Sequence, residues 1–400
     1  MEFNLCGAPV RIGIYFIESK PEVGGVYTYM ADLLVAFAKM VAVSEHQYII
    51  MCDPAAARSV KFMMDAPNVA VVPISRPSCL VRWLSPLFPI VLRSTSIEHI
   101  ARHNSIQLLW FFGSVECVCH DIPYVTTIFD LQHRLQPFFP EVSTAGTWDA
   151  REQFFGYSLR RAAYCVTGTE TGRREIEYLY QVEGSRICVL PLPTPKFALD
   201  ATPSEIDVRS HFGIKKKYIY YPAQFWPHKN HANLILALKW LKNQRKLEIV
   251  LVLSGSDKGN LSFIQRFAKQ QGMTDQVRFL GFVSEKELIA LYQQAVALTF
   301  VTYFGPDNLP PLEAFALGCP VVASSVPGAK EQYGDAVLHV NPSVPEDIGQ
   351  AIYDVYSDET LRLKLVKAGF ERARKWTSGD YINEMFKLFD EFSAIRRNWL

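Results

Sequence analysis

Short apolar runs alternate along the chain with longer segments in which apolar residues recur every three or four positions. In the first half the short runs are Arg11–Ile17, Tyr48–Cys52, Val69–Ile74, Gln107–Phe112, Tyr124–Phe129, Tyr164–Thr167 and Ile187–Leu190. In the second half they are YIYYP from Tyr218, EIVLVLSGS, VRFLG, VALTF, PVVAS and AVLHV. Runs this short, bounded by turn-forming residues, predict strands buried on both faces. Strands alternating with helices predict α/β architecture with parallel, doubly wound sheets. Four hundred residues exceed what one core serves, so two domains are expected. Pro191-Leu-Pro-Thr-Pro195 is stiff and poor in backbone donors, which marks a linker. The expected organisation is therefore 1–195, 196–375 and a terminal aromatic helix over 376–400.

Composition narrows the classes. The chain is 49% hydrophobic and 20% charged with a net charge of +1, a globular balance that argues against bulk nucleic-acid binding. The eight cysteines show no framework spacing and several sit in strand-like runs, as reduced thiols of a cytoplasmic protein do. Cys117-Val-Cys119-His120 has no second ligand pair, so no metal site is expected. MEFNLCGAPVRIGIYFI lacks the features of a secretion signal, and no window of about 18 uninterrupted apolar residues appears. One stretch, SCLVRWLSPLFPIVLRSTSIEHIARH, leaves two readings open. It is a surface that rests on the inner face of a membrane, or a helix packed on the sheet; Pro86 and Pro89 interrupt any long amphipathic face.

Candidate chemistry sits where strands end. From Val296 to Ala323 the pattern is strand, loop, helix and strand, with Pro310 and Pro311 at the helix start and Gly318 at its end. Such a helix start presents unpaired N–H groups and a positive dipole end, which suits an anion. Glu313 is expected in its first turn, either to complement the dipole or to accept ribose hydroxyls. Lys229 precedes a helix whose apolar face is Leu234, Ile235, Leu238 and Leu241, a position where a lysine can neutralise a diphosphate or simply begin a solvated helix. Gly24-Gly25 follows the first strand, where backbone could approach a phosphate or sugar or merely turn. The G-x-G-x-x-G fingerprint is missing, which weighs against NAD or FAD. In TTIFDLQHRLQPFFPE, Asp130, Gln132, His133 and Arg134 lie just past a strand end; His133 reads equally as a ligand contact or as a structural histidine.

Taken in order, the Gly-Gly loop, FDLQH, HKN and FGPDNLPPLEAFALGCPVVAS resemble the retaining glycosyltransferases of family 4 in the GT-B class. That resemblance implies two Rossmann-like doubly wound domains facing across a cleft, with the terminal helix crossing back onto the first. It implies transfer of a hexose or deoxyhexose from a nucleotide-diphosphate sugar to a hydroxyl of a glycan or lipid-linked acceptor, in surface polysaccharide synthesis; no D-x-D pair appears that would hold a divalent metal, so no metal or cofactor is expected. Carried onto this chain, it puts Asp130, His133, Asp307 and Glu313 in catalysis. The donor would meet Gly24, Gly25, Gln224, Lys229, Gly255, Asn308, Leu309, Pro311, Leu312 and Glu313, and the acceptor Glu18, His133 and Arg134.

Three positions depart from the family. Gly305 stands where a first glutamate is usual, Gln224 where an arginine is, and Phe129 where a histidine is. Asp307, with backbone N–H groups of the Gly305 to Leu309 loop, is expected to replace the glutamate, and His228 or Arg134 the missing charge. These departures also keep two rivals in view: a non-catalytic nucleotide-sugar-binding protein and a nucleotide-sugar epimerase of similar shape.

Overall fold

Every apolar run forms a strand. The computed structural model describes residues 9–17, 24–63, 65–74, 97–113 and 119–399. The strands are β1 Arg11–Tyr15, β2 Gln47–Cys52, β3 Val69–Pro73, β4 Leu108–Phe111, β5 Tyr124–Thr127, β6 Tyr164–Thr167, β7 Ile187–Val189, β8 Tyr218–Pro222, β9 Val250–Ser254, β10 Val277–Gly281, β11 Leu298–Phe300, β12 Val321–Ser324 and β13 Val337–Val340. They form two parallel sheets, ordered β3-β2-β1-β4-β5-β6-β7 and β10-β9-β8-β11-β12-β13. β4, β5, β6, β9, β11 and β12 are buried throughout, because helices cover both faces and leave no place for a polar row. In each sheet the order runs outward both ways from a central pair, β1 with β4 and β8 with β11. Ligands of open α/β sheets bind beyond the carboxyl ends of such a pair.

The chain divides into two compact units. One comprises Met1–Leu131, Asp149–Pro191 and Ser378–Leu400, the other Gln132–Trp148 and Leu192–Thr377. This corrects the expected 1–195 block, since Gln132–Trp148 packs with the second sheet. Gln136 Nε2 donates to Tyr303 O at 2.9 Å, and the Phe139 ring lies 5.8 Å from that of Tyr303.

In the first unit the helix Ser378–Arg396 buries Tyr381, Ile382, Met385, Leu388 and Phe389. It packs on the helix Gly25–Met40, with a Tyr29–Tyr381 hydroxyl contact of 2.8 Å and Phe389 5.7 Å from Trp110. Gly25–Val43 is long and apolar enough to resemble a membrane span by composition. Its Tyr29, Met30, Leu33, Leu34 and Phe37 are spent on this core. The stretch 75–96, with Trp83, Pro86 and Pro89, lies outside the described residues. Cys52, Cys119, Cys165 and Cys319 are buried and unbridged, and burial pushes the Cys165 and Cys319 thiols up to about 12.

Candidate functional site

In the second unit the connections leaving β8 and β11 are bonded into one another. Tyr303 N–H and Thr302 Oγ1 both donate to His228 O, at 2.8 and 3.2 Å. Asn230 Nδ2 donates to Val301 O at 2.9 Å and Pro342 O at 2.7 Å, and Asn233 Nδ2 to Tyr303 OH at 2.8 Å. Asn230 takes a left-handed φ of 62°, which asparagine tolerates and which ends the short turn Pro227–Lys229 before the helix His231–Gln244. Leu234, Ile235, Leu238 and Leu241 seat that helix in the core as the pattern predicts. Lys229 is half-buried at the turn's tip. Its Nζ lies 5.3 Å from the centre of the Phe300 ring at the end of β11, and its carbonyl accepts Tyr221 OH at 2.8 Å.

Gly255 follows β9 beside this turn. Its φ is 139°, and a Cβ there would lie 2.5 Å from Ala223 O and 2.9 Å from Gln224 N, so the close approach requires glycine. Gln224 turns its amide locally, Oε1 accepting Trp226 Nε1 at 3.0 Å.

The helix Leu309–Ala316 begins one residue earlier than expected, with Asn308 at its N-cap. Glu313 is then the fifth helical residue and not in the first turn, which corrects the dipole reading. It is buried, and its Oε2 accepts Tyr292 OH at 2.7 Å. Burial first, and then the Glu313 charge, push the Tyr292 phenol well above its ordinary range and keep it a donor. The Asn308 side chain does not cap the helix; it donates to Gly305 O at 2.7 Å.

The loop ahead of this helix is held by a residue that sequence reading missed. Gln332 accepts Asn308 N–H at 2.9 Å and donates both to Asn308 O at 2.8 Å and to the Asp307 carboxylate. The other Asp307 oxygen accepts Leu192 N–H at 2.7 Å. This corrects the role expected of Asp307. Both its oxygens are engaged by protein, so it positions the loop, and Asn308 N–H is likewise occupied.

Burial raises the Asp307 carboxyl to about 7, against the opposing pull of Leu192 N–H and Arg372. A group raised on folding contributes stability that is complete below its unfolded value near 4 and lost as pH rises through about 7. The Asp307→Asn variant lacks that loss. Its melting temperature relative to wild type is expected to climb between about pH 5 and pH 8, a linkage on the order of 2–4 kcal/mol. A difference constant with pH in thermal melts overturns this.

The remaining candidates divide between the units. In the first, Gly24 has φ 81° and caps the helix Gly25–Met40 at the carboxyl end of β1. Asp130 is paired with Arg151, Nη2 standing 2.6 Å from Oδ1. In the second, His133 is fully buried; its carbonyl accepts Trp148 Nε1 at 2.7 Å, and Arg134 lies 5.8 Å from the Trp148 ring. Asp130 and His133, expected to act together, thus belong to different units. Glu18 lies outside the described residues. Gln224, Lys229, Gly255, Asn308, Leu309, Pro311, Leu312 and Glu313 are all supplied by connections leaving the carboxyl ends of β8, β9 and β11.

A parallel sheet that reverses its strand order between β8 and β11, with a cation and a helix start at that point, is a Rossmann-like α/β unit. Residues 204–372 match the family described as Glycosyl transferases group 1. The two-sheet architecture is the GT-B fold. The chain is 26% identical over 222 residues to O-antigen chain mannosyltransferase B of Escherichia coli, a match covering 55% of this chain and 58% of that protein. It is also 26% identical over 260 residues to O-antigen chain mannosyltransferase RfbU of Salmonella typhimurium, covering 63% and 68%. A solved structure of Anabaena HepE in complex with UDP-glucose superposes with TM-score 0.69 at 16% identity, over 95% of this chain and 99% of that one.

Proposed function

We propose that this chain is a glycosyltransferase that moves a hexose, mannose first among the candidates, from a nucleotide-diphosphate sugar to a hydroxyl of a glycan or lipid-linked acceptor with retention of configuration. The observation that carries the reading is the mutual bonding of the Lys229 turn with the loop ahead of Leu309. It sets a cation and a helix start at the reversal point of one sheet. In this reading the two groups meet the charge of the departing diphosphate, so the reaction needs no metal ion. Glu313, oriented by Tyr292, accepts the ribose hydroxyls. Catalysis is then positioning and electrostatic stabilisation of an oxocarbenium-like state. The two O-antigen mannosyltransferase relatives support mannose and surface polysaccharide synthesis, and a lipid-linked acceptor would bring the chain to the cytoplasmic face of a membrane.

Incubation with GDP-, UDP- and dTDP-sugars and a glycan acceptor, followed by NMR of the anomeric proton, tests this. Transfer with the donor's anomeric configuration is the expected result. An inverted product removes the retention, epimerised donor makes the protein an epimerase, and tight donor binding with no turnover makes it a binding protein.

A further inference from the structure

The segment Gln132–Trp148 brings a carboxylate to the Lys229 turn. Glu141 Oε1 lies 2.5 Å from His228 Nδ1 and also accepts the His228 backbone N–H at 3.1 Å. The two side chains are 7% and 12% exposed. Glu141 Oε2 is buried and has no hydrogen-bond partner among the described residues. A carboxylate so enclosed is tolerable only if positive charge or a proton meets it locally.

The groups around the pair show which one does so. His231, at the start of the next helix, is buried, and burial followed by the Lys229 charge drives its imidazole down to about 3, so it is neutral. Tyr303 and Phe139 contribute rings, and Lys229 Nζ lies over Phe300. Burial alone would raise the Glu141 carboxyl, yet the hydrogen bonds from His228 outweigh it and hold the group below its ordinary value. Glu141 is therefore held as a carboxylate, and His228 is the group that faces it.

A nucleotide sugar carries one negative charge on each of its two phosphates. Between Pro222 and Asn230 the sequence supplies a single lysine and no arginine. We propose that Glu141 keeps His228 protonated, so that the turn Pro227–Lys229 offers a donor diphosphate the Lys229 ammonium and, beside it, a charged imidazolium N–H whose net charge Glu141 offsets in part, with Glu141 as the positioning residue. This rests on the nucleotide-sugar reading above and adds to it a regulation: donor affinity that falls as pH rises through the titration of His228.

The test is calorimetric binding of GDP and of UDP from about pH 5.5 to about pH 8.5, the range over which an imidazole titrates. Wild type is compared with His228→Gln, Glu141→Gln and Lys229→Ala, each confirmed folded by its melting curve. The terminal phosphate of either probe ionises in the same range, so the quantity read is the ratio of variant to wild type at each pH. His228→Gln is expected to bind about tenfold more weakly at the acid end and nearly equally at the alkaline end, one charge-assisted contact being lost.

Glu141→Gln should match wild type at the acid end and lose affinity about one pH unit earlier on the way up. Ratios that stay constant with pH make the pair structural and overturn the proposal. If Glu141→Gln does not fold, the His228→Gln ratio decides alone. Wild-type protein that binds neither probe, or Lys229→Ala that binds as tightly as wild type, removes the donor-site reading itself. Weakened Lys229→Ala with a flat His228→Gln ratio removes only this inference.

Discussion

Replacing Lys229 by alanine is expected to lower kcat/KM for the sugar donor by about a hundredfold or more, while the melting temperature moves by only a few degrees. The size follows from where the charge acts. Removing one preorganised group that meets charge developing on a leaving group costs about a hundred- to a thousandfold. Its structural contacts are weaker. Nζ over the Phe300 ring at 5.3 Å is worth about 0.5–1 kcal/mol, and the bond from Tyr221 OH is to the main chain and survives the substitution.

Steady-state kinetics separates the ways this can fail. A rise in KM with kcat unchanged would mean that Lys229 binds ground state and transition state alike. A fall in kcat as large as that in kcat/KM would place its action in the transition state. Activity within a few fold of wild type would exclude Lys229 from the donor site.

Much of this architecture was legible because it is written locally. Strands buried on both faces leave apolar runs that periodicity detects, and VLVLS or VVAS offers no polar row to mislead. Ser284 and Glu287 form the capping box their spacing announces. What could not be read depends on side chains far apart in sequence. Asp307 looked like a carboxylate waiting for a sugar because nothing near it in the chain reveals Leu192 or Gln332. Glu141 drew no reading from its surroundings in the chain, since His228 lies 87 positions away.

The stretch 132–148 was assigned to the first domain because it follows a first-sheet strand. Its Gln136, Phe139 and Glu141 instead answer to Tyr303 and His228 in the second unit. Glu313 shows how little displacement suffices. The helix starts at Leu309 and not at Pro310, and that single residue moves the carboxylate out of the first turn into a bond with Tyr292.

The second large effect is expected from Gly328→Ala, which should lose about 2–4 kcal/mol of stability and, in the fraction that folds, about tenfold or more in affinity for GDP or UDP. Gly328 has φ 85°, and a Cβ there would lie 2.4 Å from Pro306 O, 2.8 Å from its Cα and 3.0 Å from its carbonyl carbon. All three are backbone atoms, so no side-chain rotation relieves the clash; either the Pro306 loop or the helix Ala329–Tyr333 must move. That helix carries Gln332, which grips Asp307 and both the N–H and the carbonyl of Asn308, while Arg372 Nε holds Gln332 O at 2.6 Å.

Moving either side therefore shifts Asn308, at the N-cap position of the helix Leu309–Ala316, and with it the Leu309 N–H, since Pro310 and Pro311 carry none. Gly334→Ala supplies the control at the other end of the same helix. Its φ is 54° and its ψ −134°, with nothing within 4 Å of the added Cβ, so it should cost on the order of 1–3 kcal/mol of backbone strain alone and leave nucleotide affinity unchanged. Thermal melts and calorimetry on the two variants separate contact from strain. Equal losses of affinity in both, or none in either, would show that the Gly328–Pro306 contact does not set the donor loop.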